Sequence, residues 1–248
     1  MIVAGRVRLN GVVKSNPETP VNFGADRVEV DGRVSVAAQK IYRMLNKPRG
    51  AVTTASDEKG RRTVYDLLRP ESSRPDELES AGNRPPWIAP VGRLDKASEG
   101  LLLLTNDSEW AARILAPDTH LDKTYQVHID KVADEQLLAA LQNGIISGGE
   151  TLHVKRVHLL RSGEKNSWLE IVLDEGKNRH IRRMLEALGV EVLRLVRVAI
   201  GPLALGELAK GASRPLTPAE KAALDRALSR QASARSHSNH THSSRWSS

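Results

Sequence analysis

Apolar and polar residues alternate in short bursts along this chain, and the period lengthens from two to about 3.6 only in a few places. Residues 6–13 read as two strands about Asn10-Gly11, and residues 27–34 repeat the pattern about Asp31-Gly32; both dipeptides favour tight hairpins. Forty residues of this kind bury too little to make a core of their own. A buried strand at 41–45 then stops at Asn46-Lys47-Pro48-Arg49-Gly50, where proline and glycine mark a turn. Residues 63–68 have the spacing of a short helix, and residues 69–90, dense in Pro, Ser and acids, read as an exposed, mobile loop. Strand, turn, strand is expected for 91–95 and 101–105. A helix over 108–115 follows, capped by Asn106 or Asp107 and stopping before Pro117.

Further strands are expected at 124–129, 152–160 and 168–173. Residues 134–143 read as a helix closed by Gly144. Ile181, Met184, Leu185 and Leu188 share one helical face, with Gly189 as the C-cap. From Ser229 onward the chain is Ser, His, Arg and Asn, which reads as a disordered tail. Strands alternating with single helices through hairpin-like links define an α+β class.

Composition narrows the chemistry. Of 248 residues 40% are hydrophobic and 27% charged, the balance of a folded domain. No run approaches the roughly 18–20 apolar residues of a membrane span, and the first residues lack a secretory signal, so a cytoplasmic protein is the simplest reading. The absence of cysteine excludes disulfides, thiolate metal sites and cysteine nucleophiles. The formal charge is +7, of which the last 20 residues supply three, leaving +4 for the remainder; such an excess suits a polyanion such as RNA. Aromatics are only 3%, too few for a module that stacks successive bases on exposed rings.

Two segments stand out as candidate chemistry. In Gly92-Arg93-Leu94-Asp95, period two would put Arg93 and Asp95 on one strand face with Leu94 inward. Asp95 is then either an ionised carboxylate beside a loop or simply the opening of the turn through Gly100. Glu175-Gly176-Lys177-Asn178-Arg179-His180-Ile181-Arg182-Arg183-Met184 is the densest basic cluster outside the tail. Arg182 borders the apolar stripe and could reach an internal cleft, where a guanidinium would pair with Asp95; Arg179 and Arg183 would meet solvent or phosphate. Tyr125, in Lys123-Thr124-Tyr125-Gln126-Val127, lies within a strand. Neither a phosphate-cradling GxxxxGK motif nor a HExxH pair is present.

Those three segments, with Leu45-Asn46-Lys47-Pro48-Arg49-Gly50, Ser98 to Asp107 and Leu193-Arg194-Leu195-Val196-Arg197-Val198-Ala199-Ile200-Gly201, resemble the bacterial ribosomal pseudouridine synthases of the RsuA/RluB type in order and spacing, from about residue 41 to about 215. The resemblance implies that family's catalytic fold, a mixed, mainly antiparallel sheet flanked by helices with a central cleft. It implies isomerisation of a uridine in ribosomal RNA, large-subunit RNA being favoured, by base flipping and without metal or organic cofactor. Asp95 matches the catalytic aspartate, Arg182 the arginine that pairs with it, and Tyr125 the tyrosine that stacks on the target base. Leu195 matches a uracil-pocket residue, and Arg93 a residue that fills the space left by the flipped base.

Lys47, Lys177, Arg179 and Arg183 are further expected RNA contacts. The partner implied is ribosomal RNA or a pre-ribosomal particle, met by a monomer away from membranes. Residues 1–40 resemble the second half of the small RNA-binding module named after ribosomal protein S-four, without its two leading helices, and Arg6 and Arg8 would serve it. The expected organisation is a partial module over 1–40, a catalytic domain over 41–228 and a basic tail over 229–248. A non-catalytic ribosome-assembly factor, or a glycosidase that releases free uracil, are the competing readings.

Overall fold

The structure, a computed structural model, describes residues 1–22, 25–35, 39–54, 57, 60–68 and 87–242. It divides into two compact units, Met1–Lys40 and Ile41–Ser248.

The first unit is a four-stranded antiparallel sheet of β1 (Val7–Leu9), β2 (Val12–Lys14), β3 (Val28–Val30) and β4 (Arg33–Ser35), in the order β2-β1-β3-β4. Both expected hairpins form. Asn10 and Asp31 take positive φ, followed by Gly11 and Gly32 at φ 82° and 76°, the left-handed pair a tight two-residue turn demands.

The second unit is built on a nine-stranded sheet. Its central strand, β7 (Glu99–Thr105), is buried along its whole length. Leu101 and Leu103 face one core with Met44, Trp110, Ile114 and Leu224, whereas Leu102 and Leu104 face another with Leu45, Val64 and Leu94. A strand buried on both faces has no polar alternation, which explains the run of four leucines. β7 pairs antiparallel with β5 (Tyr42–Lys47) on one side and with β6 (Ala89–Val91) on the other.

Beyond the end of β6, the start of β7 pairs in parallel with β13 (Val192–Ile200), Val196 against Glu99 and Arg197 against Gly100. From β13 the sheet continues antiparallel through β8 (Lys123–Ile129) and β12 (Ser167–Leu173) to β11 (Arg156–Ser162) at the edge. Gly100, at φ 103°, makes the junction possible: a Cβ there would lie 2.2 Å from the Arg197 carbonyl oxygen. β14 (Leu203–Ala204) pairs with β13, and β15 (Ser213–Pro215) pairs with β5.

A third core fills the β8–β12–β11 half. Val127, Ile129, Leu169 and Ile171 meet Leu141 of helix Glu135–Asn143 and Ile181, Met184 and Leu185 of helix His180–Ala187. Tyr125 packs against this core and against the Leu102 core, so it stands where the two halves meet.

Several expectations are corrected. Residues 63–68 turn instead of forming a helix: the Asp66 carboxylate takes the Thr63 N–H at 2.8 Å and its hydroxyl at 2.9 Å, while Thr63 bridges Val52. β6 ends at Val91, because Gly92 takes φ 75°; Arg93 to Asp95 therefore lie in a loop, not on a strand. Of the expected loop, 69–86 lies outside the described residues, and Ala89 and Pro90 are strand. The strand expected over 152–160 is two, because β9 (Ile145–Ser147) and β10 (Glu150–Leu152) form a hairpin over Gly148-Gly149 before β11 begins. The tail from Ser229 continues helix Pro218–His242, and 243–248 lie outside the described residues.

Thr217 and Glu220 open that helix with reciprocal bonds, Thr217 N–H to Glu220 Oε2 at 2.8 Å and Glu220 N–H to Thr217 Oγ1 at 3.2 Å. With Pro218 at its first position this is a capping box.

Candidate active site

The loop between β6 and β7 delivers Asp95. Its carbonyl accepts the Ser98 N–H at 2.9 Å, so Asp95 does open a turn. The loop is then tied from several sides. Thr53 Oγ1 donates to the Leu94 carbonyl at 2.8 Å, and Gly50 N–H to the Lys96 carbonyl at 2.8 Å. Lys47 Nζ donates to the carbonyls of Asp95 at 3.0 Å, Ser98 at 2.8 Å and Pro48 at 3.2 Å. Leu94 is buried, Arg93 exposed and Asp95 half-buried, so the in-and-out alternation survives without a strand.

Lys47 is the one expected RNA contact that the fold removes from any ligand. It is 0% exposed, and all three of its ammonium protons have carbonyl partners. Burial pulls its ammonium down to about 8, with Arg197 adding to the effect and Asp95 and Glu99 opposing it.

Arg93, Asp95, Tyr125, Lys177, Arg179, Arg182 and Leu195 line one cleft of about 720 Å³. β8 contributes Tyr125 and β13 contributes Leu195, while the segment from Asp174 into helix His180–Ala187 supplies the opposite wall. Arg179 and Lys177 are exposed at the rim. Arg183 leaves the cleft: its guanidinium binds the Ser147 carbonyl and Glu150 Oε2 of the β9–β10 hairpin, which ties that hairpin to the helix. In the first unit, Arg6 Nε donates to Asp31 Oδ1 at 2.8 Å, which offsets its charge locally, and Arg8 is exposed.

The expected direct pairing of Asp95 with Arg182 is also corrected. Arg182 donates to the carbonyls of Ala97 at 3.1 Å and Val192 at 3.3 Å, and among the described residues it makes no ion pair within 4 Å. Its guanidinium clamps the Asp95 loop to the start of β13 instead. Burial, with the Arg179 charge adding, lowers the Arg182 guanidinium from its usual value, and Asp95 raises it.

Sequence reasoning missed Arg197. It lines the cleft yet is only 6% exposed; its Nε donates to the Leu101 carbonyl at 2.7 Å and Nη2 has no partner. No carboxylate pairs with it within 4 Å among the described residues. Its position two residues after Leu195, within a quoted motif, was the available signal. Lys123, also on the cleft wall, is lowered by burial and by Arg197. Asp95 thus shares the cleft wall with three partly or fully buried cations, Lys123, Arg182 and Arg197.

Residues 41–187 match the model of the RNA pseudouridylate synthase family. The chain is 37% identical over 222 residues to the ribosomal large subunit pseudouridine synthase B of Bacillus subtilis, covering 89% of this chain and 85% of the relative. It is 37% identical over 229 residues to an uncharacterized RNA pseudouridine synthase of Aquifex aeolicus, covering 92% and 87%. A crystal structure of a pseudouridylate synthase matches with a TM-score of 0.62 at 31% identity, over 90% of each chain. Fold and relatives together define an isomerase. The chain belongs to the RNA pseudouridylate synthase family.

Proposed function

We propose that this chain converts a uridine of large-subunit ribosomal RNA to pseudouridine, acting as a cytoplasmic monomer that needs no metal or organic cofactor. The observation that carries this reading is the convergence of Asp95, Tyr125, Arg182 and Leu195 on one cleft. In the reaction the bond from uracil N1 to C1′ of the ribose breaks, the base turns, and C5 bonds to C1′. C5 then gives up its proton and N1 takes one up, so no atom is gained or lost.

Asp95 supplies an anionic oxygen to the electron-poor anomeric carbon, the role carboxylates play in glycosyl chemistry. Tyr125, at the meeting of the two halves, supports the rotating base, and Leu195 packs its edge. Such a cleft admits a uridine only after it leaves its stack. Exposed Arg93, on the Asp95 loop, fills the vacancy, and Arg179 and Lys177 at the rim hold flanking phosphates. The first unit adds Arg8 as a further RNA contact.

The test is incubation of the purified protein with unmodified ribosomal RNA, followed by pseudouridine-specific labelling and sequencing. Wild type yields one modified position, and Asp95→Asn yields none while keeping RNA affinity. Turnover by the Asn variant at the wild-type rate sinks the catalytic assignment, and release of free uracil makes the protein a glycosidase.

A further inference from the structure

The cleft uses one face of the β13–β8–β12–β11 sheet; the opposite face carries a row of side chains that the proposed reaction does not employ. Register places Arg161 of β11 beside Trp168 of β12, Trp168 beside His128 of β8, and His128 beside Arg194 of β13. The Trp168 and His128 rings are stacked, 4.8 Å between centroids and 3° from parallel. The Arg161 guanidinium lies 5.1 Å from the Trp168 centroid and that of Arg194 lies 5.9 Å from it. Arg194 also grips Glu99 with two bonds of 3.0 and 3.1 Å, and Lys210 reaches the same carboxylate at 2.7 Å.

The charge on this face is one-sided. Its cations are Arg156, Arg161, Arg194 and Lys210, and its acids among the paired positions are Glu170 and the buried Glu99, which two of those cations share. Arg156 and Arg161 are exposed and have no ion-pair partner among the described residues. A guanidinium stacked on a ring keeps its in-plane N–H donors free, and the ring holds it in place, so it is organised for a phosphate oxygen before any ligand arrives. β11 and β13 are three strand spacings apart, about 14 Å, wide enough for several phosphates of one strand.

We propose that this face binds the phosphodiester backbone of the substrate RNA, away from the nucleotide being isomerised. Arg161 and Arg156 make the contacts on the edge strand. Arg194, whose Nε and Nη2 are held by Glu99, adds its charge near the sheet centre, and the Trp168–His128 stack is the rigid base that aligns Arg161 and Arg194. The inference rests on RNA being the substrate, and it explains how a chain so poor in aromatics can hold a large RNA: by charge set in fixed positions, not by stacking bases.

The experiment measures affinity for an unmodified large-subunit ribosomal RNA transcript over a potassium chloride series. It compares wild type, Arg156→Gln/Arg161→Gln and Trp168→Leu, with ultraviolet cross-linking of 4-thiouridine-substituted transcript mapped to peptides. The double variant is expected to bind about tenfold more weakly near physiological salt. Its slope of log affinity against log salt should be shallower by roughly 1.4, two contacts at about 0.7 each. Trp168→Leu should lose affinity in the same direction, and wild-type cross-links should include the peptide carrying Arg161 or Trp168.

Because Arg156 and Arg161 are exposed edge-strand side chains, the double variant stays informative even if Trp168→Leu fails to fold. Wild-type affinity and slope in the double variant, or cross-links confined to cleft peptides, overturn the proposal. Product formation by the wild-type chain is scored on the same transcript. No product removes the isomerase reading alone, whereas product with unaltered affinity in the double variant removes this one alone.

Discussion

The Lys47 ammonium lies 3.0 Å from the backbone oxygen of Asp95, so a fully buried cation holds the loop that carries the proposed catalytic carboxylate. Replacing it with methionine would leave the Pro48, Asp95 and Ser98 carbonyls without their shared donor. Each unsatisfied buried group costs on the order of 1–3 kcal/mol. Lys47→Met is expected to lower kcat at least tenfold while RNA affinity stays within about twofold, and to lower the unfolding midpoint; rate assays, binding and thermal melts check this.

The same residue sets an alkaline limit. Its pKa is about 8 in the fold against 10.5 for a free side chain, so the unfolded chain holds the proton more tightly between those values. Stability from this group therefore rises as pH increases from about 8 to 10.5. Activity does the reverse, because a neutral amine has two N–H donors for three carbonyls. A rate profile falling above pH 8, beside a denaturation curve that this group does not weaken, is the expected pair of results.

Arg197 is a buried cation with no carboxylate within 4 Å among the described residues, an arrangement that opposes folding. Arg197→Met is expected to keep or raise the unfolding midpoint and to lower kcat at least tenfold. It also removes a charge that adds to the effect of burial on Lys47, so any residual activity should lose its alkaline limb at a slightly higher pH than wild type. A midpoint lowered by several degrees, with activity intact, would contradict this account.

Gly100→Ala puts a methyl group against the Arg197 backbone, in a conformation that L-residues rarely adopt. The expected result is loss of several kcal/mol in denaturant unfolding, far beyond the roughly 1 kcal/mol of an ordinary substitution. The surviving folded fraction should bind RNA poorly, since β13 carries Leu195 into the cleft.

Glu220 is held down to about 2 by its Arg214 bond and, further, by the Thr217 backbone and hydroxyl, although burial pushes the other way. A lowered carboxylate stabilises above its unfolded value of 4.5 and loses that contribution as pH falls towards 2. Glu220→Gln should cost about 1 kcal/mol at neutral pH and should flatten acid unfolding within that window.

What could be read without coordinates was whatever neighbours in the chain decide. Helix Ser108–Leu115 falls where it was expected, because Asp107 caps it through the Trp110 N–H and Pro117 follows its end. The His180–Ala187 stripe was equally local, as Ile181, Met184 and Leu185 all reach the core. Period two also set Leu94 inward with Arg93 and Asp95 on the other side, though Gly92 broke the strand. Lys47 misled because its environment is made by a loop some fifty positions away; nothing near it in the chain distinguishes a buried lysine from one that meets phosphate. Arg197 was hidden for the same reason, since its neighbour Gly100 is almost a hundred residues distant.

That distance bears on when the site comes into being. Asp95 leaves the ribosome long before Val196 and Arg197, the partners of Glu99 and Gly100, have been synthesised. Until they emerge, one wall of the cleft does not exist. A nascent chain, made beside abundant ribosomal RNA, therefore stays without a complete cleft until β13 has been made.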